Sequence, residues 1–254
     1  MPPRLPKPQL THFLCVPLIT PSCRTQMQAS LAAFRAEVTT DPASGASSLI
    51  PERAIRPLGT LHLTLGVMSL ATDDRVNEAL ALLKSINLTD LISTTTGSDG
   101  SQVSRLGSLT VTLRGLESMH PPAKTSILYC SPVDHDSRLR DFCLNLRAIF
   151  AEFLVPDTRP LLLHATIVNT IYVPGTRGKG SGHGKSRAKL TIDARDLLEK
   201  YQDFEWMKDV RVEKVAICRM GAKKMDDGNE EYVVESEIEM PRATNLETEP
   251  GLHM

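Results

Sequence analysis

The chain has 254 residues, 41% hydrophobic and 23% charged, which are ordinary values for a protein able to bury a sizeable core. Its formal net charge of -1 excludes a global field pulling it towards nucleic acid or membrane, so an anionic ligand must be caught by a local site. Five cysteines, an odd number with no C-x-x-C pair, argue against a zinc ribbon or a secreted disulfide framework and read as buried free thiols.

The N-terminus "MPPRLPKPQLTHF" has prolines where a signal peptide needs an apolar stretch. No run approaches the roughly 18 apolar residues of a membrane helix. The expectation is a soluble cytoplasmic or nuclear protein with flexible ends at 1–10 and 242–254. Between them, "HFLCVPLI" (12–19) reads as a strand and "CRTQMQASLAAFRAEV" (23–38) as a helix. After loop chemistry comes "LHLTLGVM" (61–68), a strand. "TDDRVNEALALLKSI" is a helix with Thr72 as N-cap and acids in its first turn. "STTTGSDGSQ" (93–102) is a polar loop, and "SLTVTLRGLESM" (108–119) a strand.

The order then restarts. "SILYCSPV" (126–133) is strand-like, and "DSRLRDFCLNLRAIFAEFL" (136–154) is the longest helical signal, with Leu139, Phe142, Cys143, Leu146, Ile149, Phe150 and Phe153 on one face. "LLLHATIVNTIYV" (161–173) is a strand, and "DARDLLEKYQ" (193–202) a helix. "VRVEKVAICRM" and "EYVVESEIEM" are strands joined through "DDGN". The repeated order predicts one α+β domain over 11–241 with two lobes, at about 11–119 and 124–241, helices on their outer faces and room for strand exchange.

Within this repeat one feature occurs twice. His62 and Thr64 stand two apart in an aliphatic strand, and His164 and Thr166 do so again. Successive strand side chains alternate faces, so Leu61, Leu63 and Leu65 face a core while His62 and Thr64 face away. The same split sets Leu163, Ala165 and Ile167 against His164 and Thr166. A pseudo-twofold axis would bring both pairs to one cleft. Two imidazoles opposed across a phosphate suit phosphodiester cleavage, one taking a proton and the other giving one. The threonine hydroxyls can donate to the non-bridging oxygens. No carboxylate accompanies either motif, so neither a metal nor any other cofactor is called for.

At these residues the sequence resembles the 2H phosphoesterase superfamily. "TLHLTLGVMSL", "LRGLESM", "LLHATIVNT", "IDARDLLEKYQDF" and "VEKVAICRM" resemble its A-kinase anchor protein nuclear-localisation-signal-domain branch, most of all the signal-cointegrator type, from about residue 11 to about residue 240. The resemblance implies the LigT-like fold: two pseudo-symmetric lobes, each an antiparallel sheet with helices outside, and a central cleft. It also implies metal-independent action on 2',3'-cyclic phosphates, 2'-5' linkages or RNA ends, with His62, Thr64, His164 and Thr166 at the catalytic positions. Relatives of the cointegrator type carry an RNA-binding KH domain. Here only about ten residues precede the first strand, so any grip on RNA falls to the cleft and its loops. The implied partner is an RNA, oligonucleotide or nucleotide substrate bound by a monomer, with no membrane; a protein complex stays open.

"PGTRGKGSGHGKSRAK" (174–189) contains a GKS triplet, but a phosphate-binding P-loop needs glycine where Lys179 stands. The segment reads either as a solvated insertion or as a basic loop whose Arg177, Lys179, Lys185, Arg187 and Lys189 meet a nucleic-acid backbone. Tyr172, on the His164 face by period two, is a candidate to stack on a base. Asn169 should point away, Trp206 should pack as core, and His120 and His135 should lie on the surface. The sequence leaves two alternatives to an enzyme of this kind, a non-catalytic RNA- or nucleotide-binding adaptor and a metal-dependent hydrolase.

Overall fold

The computed structural model describes residues 8–39, 50–93, 109–174, 190–226 and 229–241. In chain order the first half gives β1 (His12–Pro17), α1 (Arg24–Val38), β2 (His62–Met68), α2 (Asp73–Ser85), α3 (Leu88–Ser93) and β3 (Thr110–Ser118). The second gives β4 (Ile127–Val133), α4 (Arg138–Ile149), β5 (Ala165–Asn169), α5 (Arg195–Lys200), β6 (Glu205–Arg211), β7 (Lys214–Arg219), the two-residue strands β8 (Lys223–Lys224) and β9 (Glu230–Glu231), and β10 (Val234–Glu239).

Two four-stranded antiparallel sheets carry the fold, ordered β10-β7-β1-β2 and β5-β4-β3-β6. Each mixes strands from both halves of the chain: β3 sits beside β4 and β6, while β7 sits between β1 and β10. The crossing is cemented by helix α1, which leaves β1 of one sheet and packs on β6 of the other. β2 and β5 are the facing edges of the two sheets, and they approach each other.

The alternation that predicted the strands is visible in their burial. Leu61, Leu63 and Leu65 are buried, as are Leu163, Ala165 and Ile167. They join one core with Leu31 and Phe34 of α1, Ala79 and Leu83 of α2, and Leu139, Phe142 and Leu146 of α4. His62 and Thr64 are left on the opposite face. A smaller apolar cluster of Phe13, Cys15, Ala216 and Cys218 lies apart from that core. All five cysteines are buried and free, and burial pushes the Cys130 and Cys143 thiols well above their ordinary range. Among the described residues no helix is long and apolar enough to cross a membrane.

Helix α2 has the predicted start: Arg75 N–H donates to Thr72 Oγ1 at 3.3 Å, with Asp73 and Asp74 in the first turn. Helix α4 stops at Ile149, short of the predicted 154, and Ile149 is exposed. The chain turns there to run beside the free edge of β2, where Val155 N–H donates to the Val67 carbonyl at 2.8 Å. Phe150 and Phe153 stay buried in that turn.

The β8–β9 hairpin leans on the turn that leads into β2. A Cβ at Gly59 would lie 2.4 Å from Glu231 Cγ and 2.8 Å from the Glu230 carbonyl oxygen, so only glycine lets the hairpin seat. Gly59→Val is therefore expected to lift the hairpin and destabilise the protein by about 1–3 kcal/mol. A thermal melt checks this, and an unchanged midpoint would show that the hairpin is not seated there.

Candidate active site

The two motif strands meet at a cleft because the chain ties them together just before β2. Ile55 forms a β-bridge with Val168, and Arg56 N–H donates to the Ile167 carbonyl at 2.8 Å. This strap pairs with the second motif strand and, six residues on, delivers His62 of the first.

His62, Thr64, His164 and Thr166 line a single cleft. The two imidazoles are held alike. His62 Nδ1 lies 2.8 Å from the Thr60 carbonyl oxygen, and His164 Nδ1 lies 2.9 Å from the Leu162 carbonyl oxygen, each two residues upstream. A carbonyl can only accept, so each Nδ1 carries a hydrogen and each Nε2 is left for chemistry. Thr64 Oγ1 is 2.9 Å from His62 Nε2 and donates to it when the ring is neutral. Aromatic rings fix both imidazoles from the side. Phe13 lies 4.8 Å and Tyr232 5.2 Å from His62, and Tyr129 stands edge-on to His164 at 5.3 Å.

The two rings differ electrically. Burial, then the charges of His164 and Arg56, lower His62 to about 4, although the Thr60 carbonyl favours its protonated form. Burial and the neighbouring Tyr172 push the Tyr232 phenol up to about 12, against the pull of Arg56. Among the described residues no cluster of three or more His, Cys, Asp or Glu side chains could hold a metal ion.

Tyr172 lines the cleft, though not by strand periodicity. The predicted strand over 161–173 is real only for Ala165–Asn169; the chain then coils through a short 3-10 turn, Thr170–Tyr172, with Ile171 N–H donating to Asn169 Oδ1. Asn169, expected to point away, also lines the cleft. The pairing explains why: Leu128 faces Val168 but Tyr129 faces Thr166, so β5 carries an extra residue. Ile167 and Val168 are both buried, and this bulge inverts the alternation beyond it. Arg177 and the basic segment around it lie outside the described residues. Trp206 is fully buried, and His120 and His135 are exposed, as expected.

The sequence reading missed Arg56, Thr60 and Tyr232, which complete the cleft wall. Thr60 had a signal of a kind, lying two residues before His62. Tyr232 arrives from the far end of the chain on the hairpin, where nothing local marks it.

Over residues 10–240 the chain matches the family described as the AKAP7 2'5' RNA ligase-like domain. The chain belongs to this family. Within the 2H phosphoesterase superfamily that places it in the branch its motifs resemble, without singling out the cointegrator type. It is 27% identical over 164 residues to an uncharacterised protein of Schizosaccharomyces pombe, covering 63% of this chain and 68% of that one. A crystal structure described as a phosphoesterase superposes with a TM-score of 0.50 at 15% identity, covering 93% of this chain and 100% of that chain, and shares the LigT-like fold. Escherichia coli LigT complexed with 3'-AMP gives a TM-score of 0.49, also at 15% identity, over 93% of this chain and 100% of that chain.

Proposed function

We propose that the protein is a metal-independent phosphodiesterase acting on RNA or oligonucleotide phosphodiesters: a 2',3'-cyclic phosphate, a 2'-5' linkage or an RNA end. The observation that carries this reading is the shared cleft in which two imidazoles, each fixed through Nδ1 by a carbonyl two residues upstream, keep Nε2 for proton transfer. The family's description, with its 2'5' RNA, agrees with the substrate class.

His62, neutral at pH 7, is the base. Its Nε2 takes a proton from the attacking water or hydroxyl as the new P–O bond forms. His164 is the acid, and a proton passes from its Nε2 to the leaving oxygen as the old P–O bond breaks. Thr64 and Thr166 donate to the non-bridging oxygens, where charge builds up. Phosphate contact releases the Thr64 hydroxyl from His62 and frees Nε2 to act.

The test is incubation of the full chain with 2',3'-cyclic mononucleotides and 2'-5' oligoadenylate in excess chelator. Turnover is the expected result. Turnover abolished by the chelator would point to a metal-dependent hydrolase, and tight RNA binding with no product to an adaptor.

A further inference from the structure

Arg56 is the feature of the cleft that proton transfer does not account for. It is buried, with 4% exposure, yet its guanidinium has no partner carboxylate among the described residues. Its Nη2 makes no hydrogen bond at all. The guanidinium carbon instead lies 3.7 Å from the centroid of the Tyr172 ring. A buried cation without a counter-ion is costly, and an unmade hydrogen bond on it costs more. A cation–π contact offsets only part of that.

The fold nevertheless holds Arg56 in place. Its backbone is bonded to the Ile167 carbonyl, inside the second motif strand, and the same strap runs on into the first. The guanidinium therefore belongs by its main chain to both halves of the cleft. It is also close enough to His62 and Tyr232 for its charge to act on both. A planar fork with a spare N–H, fixed from behind by an aromatic ring, matches the oxygens of a phosphoryl group.

We propose that Arg56 is the anion receptor of this cleft: its free Nη2 donates to a non-bridging oxygen of the phosphate lying between His62 and His164. This deepens the phosphodiesterase reading and rests on it for the position of the phosphate. Arg56 then touches the substrate in both ground and transition states. It neutralises charge that the two threonine hydroxyls cannot, and its positive charge adds a small part to what burial already does in keeping His62 unprotonated. Tyr172 acts here as the ring that orients the guanidinium rather than as a platform for a base.

The experiment measures binding apart from turnover. Inorganic phosphate, a nucleoside 3'-monophosphate and the matching uncharged nucleoside are titrated by calorimetry into wild type, Arg56→Met and Arg56→Gln. Loss of one charge-assisted contact is expected to weaken both phosphates by about 10- to 100-fold and to leave the nucleoside unchanged. A second measurement needs no variant to fold: the guanidinium resonances of arginine-labelled wild type are followed as inorganic phosphate is added, and one buried set is expected to shift with saturation. The proposal is overturned if that set does not move. It is equally overturned if a folded neutral variant keeps wild-type phosphate affinity, or loses phosphate and nucleoside alike, which is what a purely structural arginine would do. Because neither arm needs turnover, an inactive wild type that still binds phosphate through Arg56 would sink the enzymatic reading and spare this one.

Discussion

His62→Ala and His164→Ala are each expected to lower kcat/KM for a 2',3'-cyclic nucleotide by about 10²- to 10⁴-fold, the usual worth of a positioned acid or base. The double variant should fall little further, since the two rings serve one concerted step and their losses do not add. The two variants differ in what restores them. An activated aryl ester of the same nucleoside phosphate has a leaving group that needs no proton, so it should recover much of the loss in His164→Ala and little in His62→Ala. The pH profile separates them again. His62 works as a base in its neutral form, and its value of about 4 lies below the ordinary histidine range. Wild-type kcat/KM, which reports the free enzyme, should show no loss from His62 between neutrality and about pH 5. It should then fall as pH drops through about 4, and that limb should vanish in His62→Ala. An acid limb near pH 6.5 that survives in His62→Ala would make His62 the wrong base. Equal rescue of both variants by the aryl ester would undo the assignment of roles. Melting temperatures close to wild type are needed for either reading, and the partly exposed positions of both rings make them attainable.

How far this site could be read in advance depended on whether the signal was local. β2 was legible throughout, because Leu61, Leu63 and Leu65 mark one face and leave His62 and Thr64 no choice of the other. β5 was legible only at its start. Ile167 and Val168 are both aliphatic, so nothing in the string shows that one of them is an added residue, and the face assigned to Asn169 came out inverted. The repeat of strand, helix and strand implied two lobes. Yet which strands pair is a long-range matter, and β3 and β7 each found neighbours far along the chain. Arg56 was invisible for the same reason. In "PERAIRP" it reads as an ordinary solvated loop residue, and only the pairing of Ile55 and Arg56 with β5 drives it inside.

Trp206 tests the scaffold rather than the chemistry, and Trp206→Ala should cost about 3–5 kcal/mol, a large part of a domain's stability. The side chain is fully buried in β6, with Phe34, Phe204 and Tyr201 at ring distances of 5.3, 4.9 and 6.0 Å. It joins a strand of one sheet to helix α1 from the other, and Ser30 Oγ adds a 2.8 Å bond to its carbonyl oxygen. Its Nε1–H donates to the Gly115 carbonyl at 2.7 Å. Gly115 itself has φ of +75°, and a Cβ there would come 2.9 Å from the Gln202 carbonyl oxygen, so the acceptor is fixed in place. Trp206→Phe fills most of the space but removes that donor, and should cost about 1–3 kcal/mol. Urea unfolding followed by circular dichroism should show a lowered midpoint with an unchanged slope, larger for alanine than for phenylalanine. Below its transition the alanine variant should keep near wild-type kcat/KM, because Trp206 does not line the cleft. Alanine and phenylalanine variants of equal stability would mean that the ring's volume does not hold the sheets together. A folded alanine variant with collapsed turnover would mean that the geometry of the cleft is set from this distant core.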